Sequence, residues 1–211
     1  IQYVIYEHDH KYLANRNPAL YKNFLAPKTE IIFKKFYESA QSILCQSKMH
    51  KDILVKNLNL ENIISVGGNL WSEETLEHIR GISKFAKGKK YSIMDSTIPH
   101  KNTFDAVRYC RVKNIPYELI PSCQHKEFLE KISQNDTLIF LPQTPETLSR
   151  IIVEARMLGC KIITNNLVGA TSENWFSLKG EKLISIMYEK RDIIPKIVVG
   201  SFSDENTSHN Q

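Results

Sequence analysis

Short apolar segments alternate with helix-forming segments at regular spacing along most of this 211-residue chain. Apolar runs of four to eight residues bounded by turn residues predict buried strands, and strands that alternate with helices predict parallel pairing. A parallel sheet needs helical crossovers that cover its faces, so the alternation restricts the chain to an α/β fold. We therefore predict a Rossmann-like, doubly wound parallel sheet.

The pattern places the elements as follows. Predicted strands cover residues 3–6, 42–46, 91–95, 117–120, 137–141 and 161–164, with one more from Ile63 into the turn Gly67-Gly68. Predicted helices cover residues 29–39, 48–58, 73–85 with Ser72 as N-cap, 103–113, 125–133, 146–158 and segments after 173. Residues 18–24 are expected to form a loop or a short helix.

Two glutamates, Glu146 and Glu154, stand eight positions apart where a predicted helix follows a strand and a Gly stop leads into the next strand. In such a βαβ unit the helix N-terminus lies at the carboxyl edge of the sheet, where ligands of open α/β folds bind. Free N–H groups and the positive helix end there suit a phosphate, and Pro145 fits the first turn. With carboxylates to accept sugar hydroxyls, the pattern indicates a nucleotide sugar. The alternative is a chance pair of glutamates on a well-started helix.

These residues resemble the GT-B glycosyltransferases of group 1, or family 4, whose second domain carries an E-x7-E motif followed by Glu-Ala, a Gly and a strand. Here the match is Glu146, Glu154-Ala155, Gly159 and the strand at 161–164. The resemblance implies that Glu146 binds the donor sugar hydroxyls and that Glu154 binds the ribose.

The same resemblance implies that backbone N–H groups after the first Glu approach the donor diphosphate. The family usually has Gly residues there, whereas this chain has Thr147, Leu148 and Ser149. We expect Thr147 and Leu148 to belong to the donor-binding residues.

Two further stretches match the family. A strand ending in His-Asp lies at its interdomain cleft, and His8-Asp9 has that order, which implies a contact between His8 and the donor sugar or the acceptor. A loop of the second domain supplies an Arg and a Lys to the departing diphosphate; Lys101 matches the Lys, and the Arg position falls near Ser96. His100 is expected to replace that missing charge in part. The alternatives are a histidine that caps a strand end and an ordinary exposed lysine.

The catalytic residues implied by the resemblance are His8, Lys101 and Glu146, and the donor-binding residues are Ser96, Lys101, Glu146, Thr147, Leu148 and Glu154. The activity implied is transfer of a sugar from a nucleotide-diphosphate sugar to a sugar, lipid or protein acceptor, with retention of configuration. No cofactor and no metal are expected. His8 and His10 alone are too few ligands for a metal site.

Residues 1–66 are predicted to form the C-terminal part of an acceptor-side Rossmann-like domain, 67–199 the nucleotide-sugar-binding domain, and 200–211 a disordered tail. Two adjacent glycines, Gly67 and Gly68, suit a hinge or a simple turn. Because the sequence starts with Ile1 inside an apolar run, we expect most of a first domain to be missing from this chain.

Charge, motifs and cysteine spacing limit the binding partners expected for this chain. Residues 1–56 hold nine Lys or Arg against five Asp or Glu, which favours either a solvated surface or a peripheral contact with an anionic surface. No nucleic-acid reader motif is present in the sequence. The four cysteines form no C-x-x-C pair and are expected to be reduced, which fits a cytoplasmic protein. Two alternatives remain open: a nucleotide-sugar epimerase of the same fold, and a non-catalytic relative that binds only a nucleotide.

Overall fold

The computed structural model describes residues 1–202, which form two parallel β-sheets with flanking helices. The first sheet has the order β1-β2-β3 and consists of Val4–Glu7, Ser42–Cys45 and Ile63–Ser65. The second has the order β5-β4-β6-β7 and consists of β4 Gly88–Met94, β5 Tyr117–Ile120, β6 Asn135–Phe140 and β7 Lys161–Thr164. Because every strand pair is parallel, the carboxyl ends of the strands in each sheet share one edge.

Within residues 1–202, seven α-helices connect or cover these strands. They are α1 Lys34–Glu38, α2 Lys48–Leu58, α3 Glu73–Ile82, α4 Thr103–Val112, α5 His125–Ser133, α6 Arg150–Met157 and α7 Glu181–Gly200. Short 3-10 turns cover Pro18–Leu20, Lys22–Phe24, Lys28–Glu30, Pro99–Lys101 and Gly169–Ser172. None of the helices within residues 1–202 has the length and apolarity needed to cross a membrane.

Helices pack on both faces of the second sheet. In β6, Leu138 and Phe140 join the core formed with α3, α5, α6 and the first half of α7, whereas Ile139 joins a smaller core with α4. Neighbouring strand residues point to opposite faces, so each face buries its own set of apolar side chains. The predicted α/β, Rossmann-like, doubly wound sheet is therefore confirmed.

The first sheet is also covered on both faces, but from distant parts of the chain. Ile43 and Cys45 of β2 pack in a core with α2, while Leu44 packs on the other face against Ile194 of α7. Helix α7 thus buries its first half against the second sheet and its second half against the first. Pro195 lies inside this helix, near the point where it passes from one sheet to the other.

Several predicted boundaries were wrong. The helix predicted at 29–39 is limited to α1, because Phe33 adopts a left-handed conformation (φ 55°) at its N-cap. The helix predicted at 146–158 begins only at Arg150, and the predicted tail at 200–211 overlaps α7, which extends through Gly200. The rest of that tail, residues 203–211, lies outside the described residues.

Candidate functional site

A polar cavity of about 460 Å³ opens between the carboxyl edges of the two sheets. The first sheet contributes the residues that follow β1, and the second contributes the loops that follow β4 and β6. The lining residues are His8, Asp9, Asn15, Arg16, Asn17, His100, Lys101, Thr144, Pro145, Glu146 and Thr147. Sites of open α/β folds lie at such an edge, so the topology places this cavity where a ligand is expected.

Glu146 reaches the cavity from an extended segment, not from a helix. Its N–H donates to the Leu167 carbonyl at 2.8 Å and its carbonyl accepts from Gly169 N–H at 2.8 Å, as in a short parallel bridge. The prediction that Glu146 and Pro145 belong to the first turn of α6 is therefore wrong. The pairing with residues 167–169 holds the chain extended until Ser149, where the helix can start.

Lys101 and Glu146 form an ion pair at the centre of the lining, with 2.6 Å between Nζ and Oε1. Both side chains are largely covered, at 26% and 17% exposure. The ammonium also lies 5.8 Å from the ring centroid of Phe140 at the end of β6. The pair presents a cation and a carboxylate side by side, so it can hold a ligand that carries both an anion and hydroxyl groups.

His8 faces the same cavity from the end of β1. Its Nδ1 lies 3.0 Å from the side-chain amide of Gln46, and its ring packs 4.3 Å from that of Tyr6. Partial burial lowers the pKa of His8, and the positive charges of Lys11 and Arg150 lower it further. The imidazole is therefore neutral at neutral pH and offers one hydrogen-bond donor and one acceptor.

Thr147 joins the two halves of the molecule beside the cavity. Its hydroxyl donates to Gln46 Oε1 at 2.7 Å and lies 3.0 Å from the His8 carbonyl, while its own carbonyl accepts from Ser47 Oγ at 2.6 Å. A side chain at Gly169 would overlap the Thr147 carbonyl oxygen, so the close approach requires glycine. These bonds join the residues that follow the first sheet to those that follow the second. We call the bonded residues His8, Gln46, Ser47 and Thr147 the cavity floor.

The N-terminus of α2 is closed by residues that follow β7. Lys48 N–H donates to Glu173 Oε1 at 2.7 Å, and Met49 N–H donates to Ser172 Oγ at 3.1 Å. The next N–H, of His50, donates to the N-cap hydroxyl of Ser47 at 3.1 Å. Three of the first-turn donors are thus satisfied by protein side chains.

The N-terminus of α6 differs. Ser149 occupies its N-cap in a left-handed conformation (φ 68°) and makes no capping bond with its side chain. Its hydroxyl is buried, and within residues 1–202 it has no hydrogen-bond partner. The first turn contains Arg150 and no acidic residue. This positive helix end thus lacks the anion that would complement it.

Glu154 lies outside the cavity lining. Its carboxylate is 3% exposed, and its Oε1 accepts from Trp71 Nε1 at 2.9 Å and contacts His125 Nε2 at 3.1 Å and Arg150 Nε at 3.6 Å. No hydrogen bond among the described residues reaches Oε2. The hydrogen bond to Glu154 raises the pKa of His125, while burial opposes it.

Two other predicted residues do not line the cavity. Leu148 packs in the core of the second sheet at 1% exposure, and its carbonyl accepts from Ala170 N–H at 3.1 Å. Ser96 shapes its own loop, with its hydroxyl accepting from Ile98 N–H at 3.2 Å. The Leu148 side chain therefore does not reach the cavity, and the prediction for its backbone N–H stays a prediction. The structure brings together His8, Lys101, Glu146 and Thr147.

The structure also reveals residues that the sequence did not single out. Arg16 lines the cavity and approaches Asp9 at 3.8 Å, which adds a cation where the predicted arginine position near Ser96 holds none. Gln46 stands directly after β2, at the carboxyl edge of the first sheet. Its place after a strand is a signal that could have identified it, because side chains in that position reach the ligand edge.

Two buried histidines support the loop after β1 from below. His50 Nε2 lies 3.1 Å from the carbonyl of Asp9, and the ring of His10 packs against it with 5.0 Å between centroids. Burial lowers the pKa of His10 to about 4 and that of His50 to about 3. Within residues 1–202, no group of three or more His, Cys, Asp or Glu side chains is arranged to hold a metal ion.

Comparison with known proteins finds similarity at the level of structure only. No protein-family model matches the chain, and no curated protein matches it. Crystal structures of Anabaena HepE are similar: one in complex with UDP and glucose (12% identity, 80% of this chain and 54% of HepE, TM-score 0.48), and one with UDP-glucose (11%, 92% and 63%, 0.46). A third, in complex with UDP, has 12% identity over 90% of this chain and 62% of HepE, with a TM-score of 0.47. The chain thus spans less than two thirds of HepE.

Proposed function

We propose that this protein is a glycosyltransferase that binds a nucleotide-sugar donor in the cavity between the two sheets. The observation that carries the proposal is the Lys101–Glu146 pair, 2.6 Å apart, in a polar cavity that His8 faces from the other sheet. A ligand with an anionic diphosphate and a hydroxyl-bearing sugar matches a cation, a carboxylate and a neutral imidazole in one place.

Lys101 and the open N-terminus of α6 supply positive charge for the diphosphate. In sugar transfer this group gains negative charge as it departs, and donors aimed at that charge lower the barrier. When the diphosphate binds, the Lys101 ammonium shares its hydrogen bonds between Glu146 and the diphosphate. Glu146 can then accept hydrogen bonds from the sugar hydroxyls. Arg16 adds a second cation from the first sheet, and His8 contacts the sugar or the acceptor.

Glu154 is assigned the ribose through its Oε2 atom. Trp71 and His125 contact Oε1, and they orient the carboxylate without using the second oxygen. The proposal also includes metal-independent transfer with retention of configuration. Because the chain spans only part of HepE, glycosyl transfer by the whole protein is also a proposal.

A non-catalytic nucleotide-binding relative is the second candidate. It is favoured by Ser96, which brings no charge where the resemblance calls for arginine, and by Thr147 and Leu148, which replace the usual glycines. A nucleotide-sugar epimerase is the third class, and it requires acid and base groups at the sugar. Product analysis separates an epimerised donor from a transferred sugar.

Calorimetry with UDP, UDP-glucose and a panel of other nucleoside-diphosphate sugars tests the proposal. Glu154→Ala is expected to weaken binding of the plain nucleotide by about 1.5–3 kcal/mol, the range for hydrogen bonds to charged groups. Glu146→Ala is expected to spare the plain nucleotide and to weaken the sugar-dependent part of binding. Equal losses for both variants with and without the sugar would contradict this division, and no binding of any donor would reject the function.

A further inference from the structure

Gln46 connects the two sides of the cavity floor through its side-chain amide. Its Nε2 lies 3.0 Å from His8 Nδ1, and its Oε1 accepts from the Thr147 hydroxyl at 2.7 Å. The side chain is buried, at 4% exposure, although it is polar. Both ends of the amide are therefore used within the protein, and neither is left for solvent.

The backbone on either side of this contact is held in place by His50. Its Nδ1 accepts from the Gln46 N–H at 3.4 Å, and its Nε2 lies 3.1 Å from the carbonyl of Asp9, next to His8. A neutral imidazole that accepts at Nδ1 carries its proton on Nε2, which is the atom that Asp9 needs as a donor. His50 thus ties the end of β2 to the loop after β1 in one register.

The proton on His8 follows from the partners of the Gln46 amide. In the structure the Oε1 end of the amide faces the Thr147 hydroxyl at 2.7 Å, the shorter of that hydroxyl's two contacts, since the His8 carbonyl lies at 3.0 Å. The NH₂ end of the amide faces His8. A donor at 3.0 Å from Nδ1 requires a lone pair on Nδ1, and the single ring proton must then be on Nε2. Nε2 is the nitrogen left for a ligand in the cavity.

We propose that Gln46 is a positioning residue that holds His8 in the tautomer protonated on Nε2, as a hydrogen-bond donor to the cavity. The role of the cavity rests on the function proposed above. A sugar hydroxyl is both a donor and an acceptor, so one that donates to Glu146 and accepts from a neighbouring His8 N–H would be matched at both of its functions. Gln46 therefore selects a hydroxyl-bearing ligand without touching it.

Nitrogen NMR of His8 in the protein tests the assignment without any ligand. The wild type is expected to show one neutral tautomer, protonated on Nε2. Gln46→Leu keeps the size but removes both hydrogen bonds, and it is expected to give a mixture of tautomers. Gln46→Glu places a carboxylate acceptor at Nδ1 and is expected to move the proton to Nδ1 and raise the pKa of His8.

Gln134→Leu, at an exposed position ahead of β6, is the matched control and is expected to leave the His8 signals unchanged. A wild-type His8 protonated on Nδ1, or a spectrum unchanged by Gln46→Leu, would overturn the proposal. A tautomeric change in Gln46→Leu also excludes simple unfolding when the remaining histidine signals keep their positions.

Binding then separates this proposal from the function it rests on. Gln46→Leu is expected to weaken UDP-glucose, or whichever nucleotide sugar binds best, by about tenfold, the size of one hydrogen bond, and to leave UDP unchanged. The expected NMR result with no binding of any nucleotide sugar would reject the glycosyltransferase function alone. An equal loss of UDP and of the nucleotide sugar would reject the role of Gln46 at the sugar.

Discussion

The N-termini of α2 and α6 differ in how the protein satisfies them: side chains cap the first turn of α2, whereas the N-cap residue of α6 makes no side-chain bond. In α2, Glu173 and Ser172 reach across from the second half to the first two N–H groups, and Ser47 caps the third. In α6, Ser149 makes no side-chain cap and keeps a buried hydroxyl without a partner among residues 1–202. The protein thus supplies capping side chains to one helix end and not to the other.

Under the proposed function, the end of α2 serves structure and the end of α6 serves the diphosphate. An anionic side chain at the positive end of a helix stabilises it, and Glu173 already provides that charge for α2. The end of α6 has the same electrostatic preference and an arginine in its first turn, which is unfavourable there. A diphosphate would relieve that imbalance, whereas an anion at α2 would have to displace Glu173.

The largest expected effect is the loss of donor turnover in Lys101→Ala, which tests the proposed diphosphate site. Loss of the ammonium beside Glu146 is expected to reduce donor turnover by about 10²–10³-fold, as for removal of one preorganised donor to developing charge. Steady-state kinetics with the best donor measures it, with Lys113→Ala at the exposed C-cap of α4 as control. A loss below tenfold would show that α6 and Arg16 neutralise the diphosphate without Lys101.

The next effect is a loss of stability at the capped N-terminus of α2. Glu173→Ala leaves the Lys48 N–H without its partner and removes a buried carboxylate, so the free energy of unfolding is expected to fall by about 2–3 kcal/mol. Denaturant unfolding measures this loss, and the exposed Glu189 supplies the control variant. Donor affinity is expected to stay unchanged, and a selective loss of nucleotide binding would mean that the end of α2 also takes part in the site.

A third effect concerns the buried histidines, one of which lies in the first turn of α2. The folded-state pKa values of His10 and His50, about 4 and about 3, lie below the ordinary 6.5. As the pH falls below 6.5, the unfolded chain takes up protons that the native state refuses, so stability is lost. The slope is about 1.4 kcal/mol per pH unit for each histidine between 6.5 and its folded value.

Thermal unfolding between pH 7.5 and pH 4 measures this slope. His50→Gln is expected to lower stability at pH 7.5 and to make the remaining pH dependence shallower by one histidine. His100→Gln, on the exposed lining, is the control and is expected to leave the slope unchanged. The same slope in His50→Gln as in the wild type would assign the acid sensitivity to other groups.

The smallest effect is expected for Ser149→Gly at the end of α6. Glycine adopts φ 68° without the strain of a side chain, and the substitution removes a buried hydroxyl that has no partner. Stability is expected to rise by about 0.5–1 kcal/mol, with donor affinity equal or higher. Calorimetry and denaturation of the same sample decide it. Weaker donor binding would show that the Ser149 hydroxyl itself contacts the ligand.

The local sequence predicted the start of α2 correctly and the start of α6 wrongly. The N-cap Ser47 stands directly before α2, and the predicted bounds of that helix agree with Lys48–Leu58. The start of α6 was predicted too early because Thr144, Pro145 and Glu146 resemble a good first turn. Their pairing with residues 167–169 overrides that local preference, and such a long-range contact leaves no periodic pattern in the sequence.

For the candidate site, several of the residues could be predicted from the sequence, but their hydrogen-bond partners could not. His8 and Lys101 were predicted from the family resemblance, and Glu146 also from its place after a strand. All three follow strands, which agrees with the rule that ligand residues gather at the carboxyl edge. Which partners occupy their atoms could not be predicted. The bond between Gln46 and Thr147 joins residues about a hundred positions apart, and Glu154 turns out to be held by Trp71, in a segment ahead of α3.

Helix α7 has a consequence for how this chain must be made. Leu44 of β2 is covered by Ile194, about 150 residues later, so at 5–20 residues per second the ribosome releases the strand roughly 8–30 s before its cover is synthesised. During that interval one apolar face of the first sheet has no helix to bury it. Nascent chains that pause before residue 194 therefore leave this face without its helix, and α7 covers it last.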